Sequence, residues 1–533
     1  MRIKSLVLVL LLVLASCGEK KSDKENRQVF RYNEYSNIST LDPAFSKNQA
    51  HIWASNQLFN GLVRLDQNLQ VQSDLAESWE ISSDGLTYSF KLKDSIYFHD
   101  HPQFVNGVGR ALNAEDVKFS LERLKSNELG APGAWVVSGI RSIRVVGPLR
   151  LEIELKEVFP PFLSLLGMKY CSIVPHEIVA YYGSDFGRNP VGTGPFKFKV
   201  WSENVKLVLV KNDHYYEKDE FGNQLPYLDA VAVNFLGDKQ AEFMALLQGD
   251  LDMLSGLDPS YKDEILNLNG ELQERYKENY RLLKGPFLNT EYLGLNMELD
   301  LFVKYPELRR AMNIGFDRRQ MMKYLRNNVG SPALQGFIPK GLPSFNDQVV
   351  YDYDPVKARR LIDELKEEHP GLDISFKIAT NSQYLDLCEF IQRQWQDLGI
   401  DAQVEVLSPS ALKQSKATNK LDVFRASWIA DYPDAENYLS LFYSSNFAPN
   451  GPNYTHYSNL SYDRLYEKAI RMTQDEARRI AYNELNNQIS RDLPVISLYY
   501  DQVVRLIPTS VVNMEINGVN MLDLRKVKKI NLP

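Results

Sequence analysis

The sequence predicts an α/β protein built from two or three domains. Its 533 residues exceed what one hydrophobic core normally supports, and 44% hydrophobic with 24% charged residues is the composition of a globular protein. Beyond residue 350, helical and extended patterns alternate, as they do in α/β folds. Asp354-Pro355 caps a helix. The later segments are predicted as strand 373–379, helix 384–398, strand 402–407 and strand 421–427.

The first half of the chain alternates between short strands and capped helices. Asp84-Gly85 lies between two alternating runs and predicts a hairpin over residues 79–92. Asn113 and Asp116 form the pattern of a capping box, which predicts the start of a helix. The other predicted elements are a strand from residue 30, a helix over 52–59, strands over 149–155, 205–210 and 230–235, and a helix over 238–249.

Two glycines and two prolines over residues 189–196 predict a chain reversal, and we place a domain boundary there. Helices lengthen beyond residue 292. Residues 306–325 and 462–490 are each predicted as one helix, and residues 493–500 as a final strand that carries the chain back.

The N-terminus carries the pattern of an export signal with a lipidation site. Arg2 and Lys4 precede an unbroken apolar run over residues 6–14, and Leu14-Ala15-Ser16-Cys17 resembles the acylation motif of bacterial lipoproteins. The run is about half of the roughly 20 residues that a membrane-spanning helix needs. We therefore predict a lipoprotein signal peptide over residues 1–16, lipidation of Cys17 and a solvated tether over 17–28. The alternative is an ordinary signal peptide with a chance cysteine.

The charge pattern argues against nucleic acid as a partner. The formal net charge of −7 becomes −9 once Arg2 and Lys4 are removed, and no segment is basic enough to bind a phosphate backbone. Cys171 and Cys388 remain besides Cys17. Their spacing indicates no pairing, so we predict two buried free thiols rather than the disulfide that an export route would permit.

The sequence contains no catalytic signature of the hydrolase, phosphate-loop or dinucleotide-binding kind. Gly192-Thr193-Gly194 resembles part of a dinucleotide fingerprint, but Pro195 removes a backbone donor, so a turn is favoured. His99-Asp100-His101 is better explained by an exposed loop than by a metal site, because no fourth ligand is apparent. We predict a protein that is not an enzyme and that has no catalytic residues, no cofactor and no resident metal.

Residues 424–439 read as a strand that runs into a charged, aromatic loop. Asp431, Asp434 and Glu436 are three carboxylates in six positions, which form either a receptor for a primary ammonium or a solvated acidic turn. Aromatic rings at this density either wall a pocket or pack the edge of the α/β unit, and the residues alone leave both open. The rings are those of Trp428, Tyr432, Tyr438, Phe442, Tyr443, Tyr454 and Tyr457.

The segment Trp428-Ile429-Ala430-Asp431-Tyr432-Pro433-Asp434-Ala435-Glu436-Asn437-Tyr438-Leu439 resembles the signature loop of the family 5 extracellular solute-binding proteins, the oligopeptide and dipeptide receptors of ABC importers. The resemblance extends over nearly the whole mature chain. The other segments that agree in order and spacing are Thr40-Leu41-Asp42-Pro43, Gln57-Leu58-Phe59-Asn60-Gly61-Leu62, Leu75-Ala76-Glu77-Ser78-Trp79, Asn113-Ala114-Glu115-Asp116-Val117, Gly192-Thr193-Gly194-Pro195-Phe196, Leu308-Arg309-Arg310-Ala311, Phe316-Asp317-Arg318 and Tyr462-Asp463-Arg464-Leu465.

The resemblance implies an α/β fold of the two-lobed, type II periplasmic-binding-protein kind, with an extra subdomain in the first lobe. The lobes would close on the ligand by a hinge motion about two crossing strands near residues 288–295 and 495–500. The predicted divisions are a lobe I core of residues 29–60, 190–287 and 496–533, a lobe I subdomain of residues 61–189, and a lobe II of residues 288–495.

The resemblance also implies roles for the strand and the loop. In the peptide receptors of the family, the aspartate that matches Asp431 pairs with the α-ammonium of the peptide. The strand before it hydrogen-bonds the peptide backbone, and Ser427 and Ile429 would supply the groups of that ladder. Recognition of this kind tolerates many side chains because all peptides share the backbone.

Four further residues are placed at the site. Trp428 matches a residue of the pocket wall, Arg425 matches an arginine that can meet a peptide carboxylate, and Tyr432 belongs to the rings beside the acid. Lys47 lies in the loop at the mouth of the site, where the oligopeptide receptors carry an acid. This departure leaves the length and charge of the ligand open.

The implied function is that of a lipid-anchored, monomeric receptor in the cell envelope, facing the periplasm or the exterior, which delivers peptides to an ABC permease. Asp431 together with Arg425 favours a zwitterionic ligand. Relatives with this fold bind nickel, haem or oligosaccharides, so these ligands remain alternatives. A peptide-processing enzyme and a purely structural surface lipoprotein are the rivals of a different class.

Overall fold

The computed structural model of the chain describes residues 27–530. The predicted signal peptide, the predicted lipidation site Cys17 and all but the last two residues of the predicted tether lie outside the described residues. Within residues 27–530, no helix combines the length and the apolar character needed to cross a membrane.

Three sheets of four or more strands form the framework. Strands β1, β10, β9 and β8 form one sheet, strands β4, β5, β7 and β6 form a second, and the largest runs in the order β11-β17-β12-β16-β14-β15. The strands of the described residues are β1 Val29–Asn33, β2 Val63–Leu65, β3 Val71–Ser73, β4 Ala76–Ile81, β5 Thr87–Leu92, β6 Ile140–Gly147, β7 Arg150–Leu155, β8 Phe196–Ser202, β9 Lys206–Lys211, β10 Ala230–Asn234, β11 Leu254–Ser255, β12 Tyr280–Leu295, β13 Ser331–Pro332, β14 Ser375–Thr380, β15 Asp401–Val406, β16 Val423–Ile429, β17 Val495–Pro508, β18 Val511–Val512 and β19 Lys528–Lys529.

We use three names for parts of the molecule. The first lobe contains β1 and β8–β10 with the segment after β17, its subdomain contains β2–β7, and the second lobe contains β14–β16 with the helices between residues 300 and 492. One apolar cluster of buried side chains fills the first lobe together with its subdomain, and two others fill the second lobe. The exact divisions between these parts remain predictions.

The two long strands β12 and β17 connect the lobes. They pair antiparallel in two stretches, and the register shifts between Pro286 and Thr290. The first half of β12 pairs with the second half of β17, so β17 runs on to Pro508. The predicted strand over 493–500 was therefore too short. The predicted hinge lies on this crossing and stays a prediction.

Helices lie between the strands along the chain. The α-helices of the described residues are α1 Gln49–Leu58, α2 Ala114–Arg123, α3 Phe162–Leu166, α4 His176–Tyr182, α5 Lys239–Leu247, α6 Lys262–Ile265, α7 Glu274–Lys277, α8 Asp300–Val303, α9 Pro306–Ile314, α10 Arg318–Leu325, α11 Pro355–Glu368, α12 Leu385–Asp397, α13 Pro409–Ala417, α14 Glu436–Leu439, α15 Leu460–Ala469 and α16 Asp475–Asp492.

Two predicted long helices were wrong, because each is two helices. The first breaks at Gly315, and Asp317 then caps α10 by accepting hydrogen bonds from the backbone N–H groups of Arg319 and Gln320. The second breaks between α15 and α16, where the Arg478 guanidinium donates to the carbonyl of Met472 at 2.9 Å. In both cases local hydrogen bonds satisfy the interrupted backbone.

Several local predictions are confirmed. Asn113 and Asp116 form a reciprocal capping box at the start of α2, strands β4 and β5 form the predicted hairpin, and Cys171 and Cys388 are buried free thiols. The exposed loop predicted for His99-Asp100-His101 is confirmed for Asp100 and is wrong for His99. His99 is buried with Nε2 at 2.9 Å from the Gly194 carbonyl, and its burial lowers its pKa to about 4.

Candidate functional site

Strand β16 presents an unpaired backbone edge just before the acidic loop, residues 430–435. The whole length of β16 pairs with β12 on one side. On the other side, β14 pairs with β16 only at Val423 and Phe424. The Ala430 N–H donates to the Leu288 carbonyl at 2.8 Å, on the β12 side. Since peptide groups alternate between the two sides of a strand, those of Ser427 and Ile429 point to the opposite side, where no strand of the described residues pairs.

The sequence placed the end of this strand two residues too early. β16 ends at Ile429, so Trp428 and Ile429 belong to the strand rather than to the loop. Ile429 is 49% exposed, and Ser427 and Trp428 are half-buried. Side chains and backbone edge are therefore both accessible over these three residues.

Asp431 is the free acid of the loop. Its side chain is exposed, and within residues 27–530 no cationic side chain forms an ion pair with it. Surrounding protein nevertheless displaces much of its water, and this desolvation raises its pKa although Asn437 hydrogen-bonds it. Burial and the charge of Asp431 together raise the pKa of Tyr170, in the subdomain, to about 12.

Asn437 holds the two neighbouring site residues in place. Its Oδ1 accepts from Trp428 Nε1 at 2.9 Å and from the Asp431 backbone N–H at 3.1 Å, and its Nδ2 lies 3.5 Å from Asp431 Oδ2. Asn437 is buried. The sequence reasoning assigned it no role, although a carboxamide six positions after the acid, within the loop segment, was a signal that could have been used.

The other two acids of the segment are structural. Glu436 is buried and accepts hydrogen bonds from the Tyr432 and Tyr466 hydroxyls, and burial raises its pKa. Asp434 accepts from the Glu436 backbone N–H at 2.9 Å. The interpretation as a solvated acidic turn therefore does not hold for Glu436, and Asp431 alone is free to receive a ligand charge.

Tyr432 lies between the lobes rather than on an open wall. It is 5% exposed, and its ring packs against Trp135 and Phe159 of the subdomain at centroid distances of 6.3 and 6.4 Å. Of the other predicted rings, Tyr438, Phe442 and Tyr457 are buried in the core of the second lobe, where the packing alternative holds.

Arg425 is already paired. The buried guanidinium forms an ion pair with buried Glu291 on β12 and lies 3.1 Å from the centroid of the Tyr384 ring, and its Nε has no partner. A ligand carboxylate at this position would share the guanidinium with Glu291.

Lys416 is a free cation close to Arg425, and the sequence reasoning missed it. Its Nζ lies 4.3 Å from the Tyr454 ring centroid and 6.0 Å from that of Phe424, the residue before Arg425. Burial, together with the charge of Arg425, lowers the pKa of Lys416 to about 8. No acid of the described residues forms an ion pair with it. A lysine on α13, nine positions before Arg425, carried no pattern that would have identified it.

Lys47 lies on the first lobe, between the short helix Pro43–Phe45 and α1. Its side chain is exposed, and no described residue forms an ion pair with it. Its charge adds to the effect of burial in lowering the pKa of His51. Among the hydrogen bonds and ion pairs of residues 27–530, none joins Lys47 to the acidic loop.

One group of metal-ligand types lies in the subdomain, away from the acidic loop. The ligand atoms of Asp116, His176 and Glu177 lie within 4.8 Å of one another. Arg110 donates to both carboxylates, at 2.6 Å to Asp116 Oδ1 and 2.7 Å to Glu177 Oε2. The guanidinium already neutralises the charge that a cation would need, so this group does not support a metal site.

Comparison with known proteins gives a consistent result. A model described as bacterial extracellular solute-binding proteins, family 5 middle, matches residues 70–450. The glutathione-binding protein GsiB of Salmonella typhi is 26% identical over 475 residues, 88% of this chain and 88% of GsiB.

Solved structures show the same likeness. The ABC transporter-associated periplasmic binding protein DppA of Helicobacter pylori, in complex with the peptide STSA, has a TM-score of 0.78 at 25% identity and covers 95% of this chain and 100% of its own. NikZ of Campylobacter jejuni, in complex with Ni(L-His), has a TM-score of 0.72 at 23% identity and covers 93% of this chain and 97% of its own.

Proposed function

Because the chain belongs to the bacterial extracellular solute-binding proteins of family 5, we propose that it captures peptides between its two lobes and delivers them to an ABC permease. The predicted α/β fold, of the two-lobed type II periplasmic-binding-protein kind, is confirmed by the structural likenesses. The relatives are binding proteins of transporters and not enzymes. The peptide ligand is our proposal.

The observation that carries the proposal is the unpaired edge of β16, which ends beside Asp431. An extended peptide can add to such an edge as one more strand, with its backbone bonded to Ser427 and Ile429. Its α-ammonium would then meet Asp431, a carboxylate that lacks a cationic partner within residues 27–530 and is partly desolvated. A charge-assisted hydrogen bond in such surroundings is stronger than one in water.

The opposite end of the ligand would lie toward the cations. Lys416 has no acidic partner in the described part of the chain, whereas Arg425 is shared with Glu291. We assign Lys416 as the main receptor for a peptide carboxylate and Arg425 as a secondary one. Lys47 adds a positive charge on the first lobe, which would favour acidic side chains in the ligand.

Contacts between the lobes support closure around the ligand. Tyr432, the neighbour of Asp431, packs against Trp135 and Phe159 across the lobes. Arg471 of the second lobe pairs with Glu157 of the subdomain at 2.7 Å. Binding at Asp431 would thus be coupled to the Tyr432 contact, because the two residues are adjacent in one loop.

Glutathione, which GsiB is named for binding, fits the same ligand class. It is a small peptide with one ammonium and two carboxylates, and the site offers one free acid with Lys416, Arg425 and Lys47. A nickel chelate, as in NikZ, is the alternative that keeps the fold and changes the ligand. For the N-terminus we propose lipidation of Cys17, which would anchor a monomer to the cell envelope.

Mass spectrometry of the small molecules released by denaturing the purified protein tests the ligand class. We expect peptides of a narrow length range with free N-termini. A metal chelate, a haem or an oligosaccharide released in stoichiometric amount would keep the family and overturn the peptide proposal.

A further inference from the structure

A cavity lies apart from the acidic loop, where the first lobe meets its subdomain. Its volume is about 280 Å³. The walls come from the end of α1, the β2–β3 hairpin, the helix Lys169–Cys171 and the C-terminal segment beyond β18. Neither Asp431 nor any residue of β16 lines it, so an occupant would leave the peptide site free.

Four of the eight charged side chains in the cavity wall form ion pairs. Arg64 pairs with Asp74 at 3.5 Å and also with Glu217, and Arg525 pairs with Glu217 at 2.7 Å and also with Asp523. Asp74 is buried and further accepts hydrogen bonds from Asn60 at 3.0 Å and from Tyr216 at 2.5 Å. These two arginines and three carboxylates therefore satisfy one another.

Lys169 differs from the other unpaired charges of this wall because it is buried. It is only 7% exposed and it lines the cavity. Within residues 27–530, no acceptor lies within hydrogen-bond distance of its Nζ, and no carboxylate lies within 4.0 Å of it. The nearest charges act on it only at longer range, and burial lowers its pKa. An ammonium carries three donors, and those of Lys169 are open to the cavity that the residue lines.

We propose that this cavity binds a small molecule through a carboxylate or phosphate group that accepts hydrogen bonds from Lys169. The volume equals that of about nine water molecules at roughly 30 Å³ each, which is enough for a small metabolite. Its lining is charge-balanced, with Arg64, Lys169, Arg525 and Lys526 against Asp66, Asp74, Glu515 and Asp523. The unmet donors of Lys169, rather than a net positive field, select the ligand.

Thermal unfolding of the whole protein tests the site, with acetate and inorganic phosphate as probes at fixed pH and ionic strength. A ligand that binds only the folded state raises Tm as its concentration increases. We expect a shift with at least one probe in the wild type. A shift with acetate alone identifies a carboxylate site, and a shift with phosphate alone identifies a phosphate site.

Lys169→Met should lower the affinity for the probe that raises Tm of the wild type by about tenfold or more, because a charge-assisted hydrogen bond is lost. Lys526→Met, which removes an exposed lysine from the same wall, should keep the wild-type response. Equal shifts in the wild type and Lys169→Met, or no shift in the wild type with either probe, would overturn the proposal.

Crystals of the wild-type protein grown with acetate and with phosphate provide a test that needs no variant, should Lys169→Met fail to fold. The proposal expects planar or tetrahedral density within hydrogen-bond distance of Lys169 Nζ in at least one of them. Water alone at that position in both crystals would refute the site.

Discussion

Asp431 and Arg425 lie six positions apart, and their surroundings differ in a way that matters for binding. Asp431 is exposed, partly desolvated and without a cationic partner among residues 27–530. Arg425 is buried, paired with Glu291 and stacked on Tyr384. A free charge at a partly desolvated site attracts a ligand charge, whereas a paired charge first stabilises the fold. We therefore expect Asp431 to contribute mainly to affinity and Arg425 mainly to stability.

The largest effect should come from Glu291→Gln. This change keeps the shape of the side chain but leaves the Arg425 guanidinium buried without a counter-charge, so the free energy of unfolding should fall by about 3–5 kcal/mol. Chemical denaturation measures it. Glu298→Gln is the matched control, because Glu298 pairs with His456 at 2.7 Å in an exposed position and should cost less than about 1 kcal/mol. Similar losses in both variants would show that Arg425 does not depend on Glu291.

Asp431→Asn should have the next largest effect, and it should act on binding. The affinity for peptides with a free N-terminus should fall by about 2–3 kcal/mol, or roughly 30- to 160-fold, because the ammonium loses its counter-charge in a partly desolvated site. Calorimetric titration measures it, with the N-acetylated form of the same peptide as control. The acetylated peptide should bind wild type and variant alike. Unchanged affinity for the free peptide would remove Asp431 from the site.

Asn437→Ala should have a smaller effect, which sharpens the assignment of Asp431. The variant loses the bonds to Trp428 Nε1 and to the Asp431 N–H, so peptide affinity should fall by about 1–1.5 kcal/mol, or roughly tenfold. Asn450→Ala removes an exposed carboxamide from the same lobe and should leave titration curves unchanged. If both variants bind like the wild type, Asn437 does not position the acid.

These residues show what could be predicted from the sequence and what could not. The family and the role proposed for Asp431 could be predicted because they rest on one continuous motif. The helix cap at Asn113 could be predicted because Asn113 and Asp116 are only three positions apart. The partner of Arg425 lies 134 positions away on another strand, so no local pattern could indicate that the guanidinium is occupied. The helix break at Gly315 could not be predicted either, because a single glycine inside an amphipathic pattern does not by itself identify a helix end.

The smallest effect concerns pH and Lys416. Burial and the nearby charges of Arg425 and Lys413 lower the pKa of Lys416 to about 8 in the free protein, and a bound carboxylate would raise it. The contribution of Lys416 to peptide affinity should thus be nearly complete at pH 7 and decline as the pH rises through 8, by about 1.4 kcal/mol at pH 9.

Titration of a peptide and its C-terminal amide between pH 7 and 9 isolates this contribution. Both ligands share the titration of the N-terminal amine, so only the difference between them reports on Lys416. The difference should shrink as pH rises, and Lys416→Met should abolish it. A difference that stays constant with pH would assign the carboxylate to Arg425 instead.

A crystal structure with a bound tripeptide tests the central claim most directly. The account predicts that the peptide extends β16, that Ser427 and Ile429 hydrogen-bond its backbone, and that its ammonium lies within hydrogen-bond distance of Asp431. A ligand bound between the lobes with the β16 edge still unpaired and Asp431 in contact only with water would contradict it.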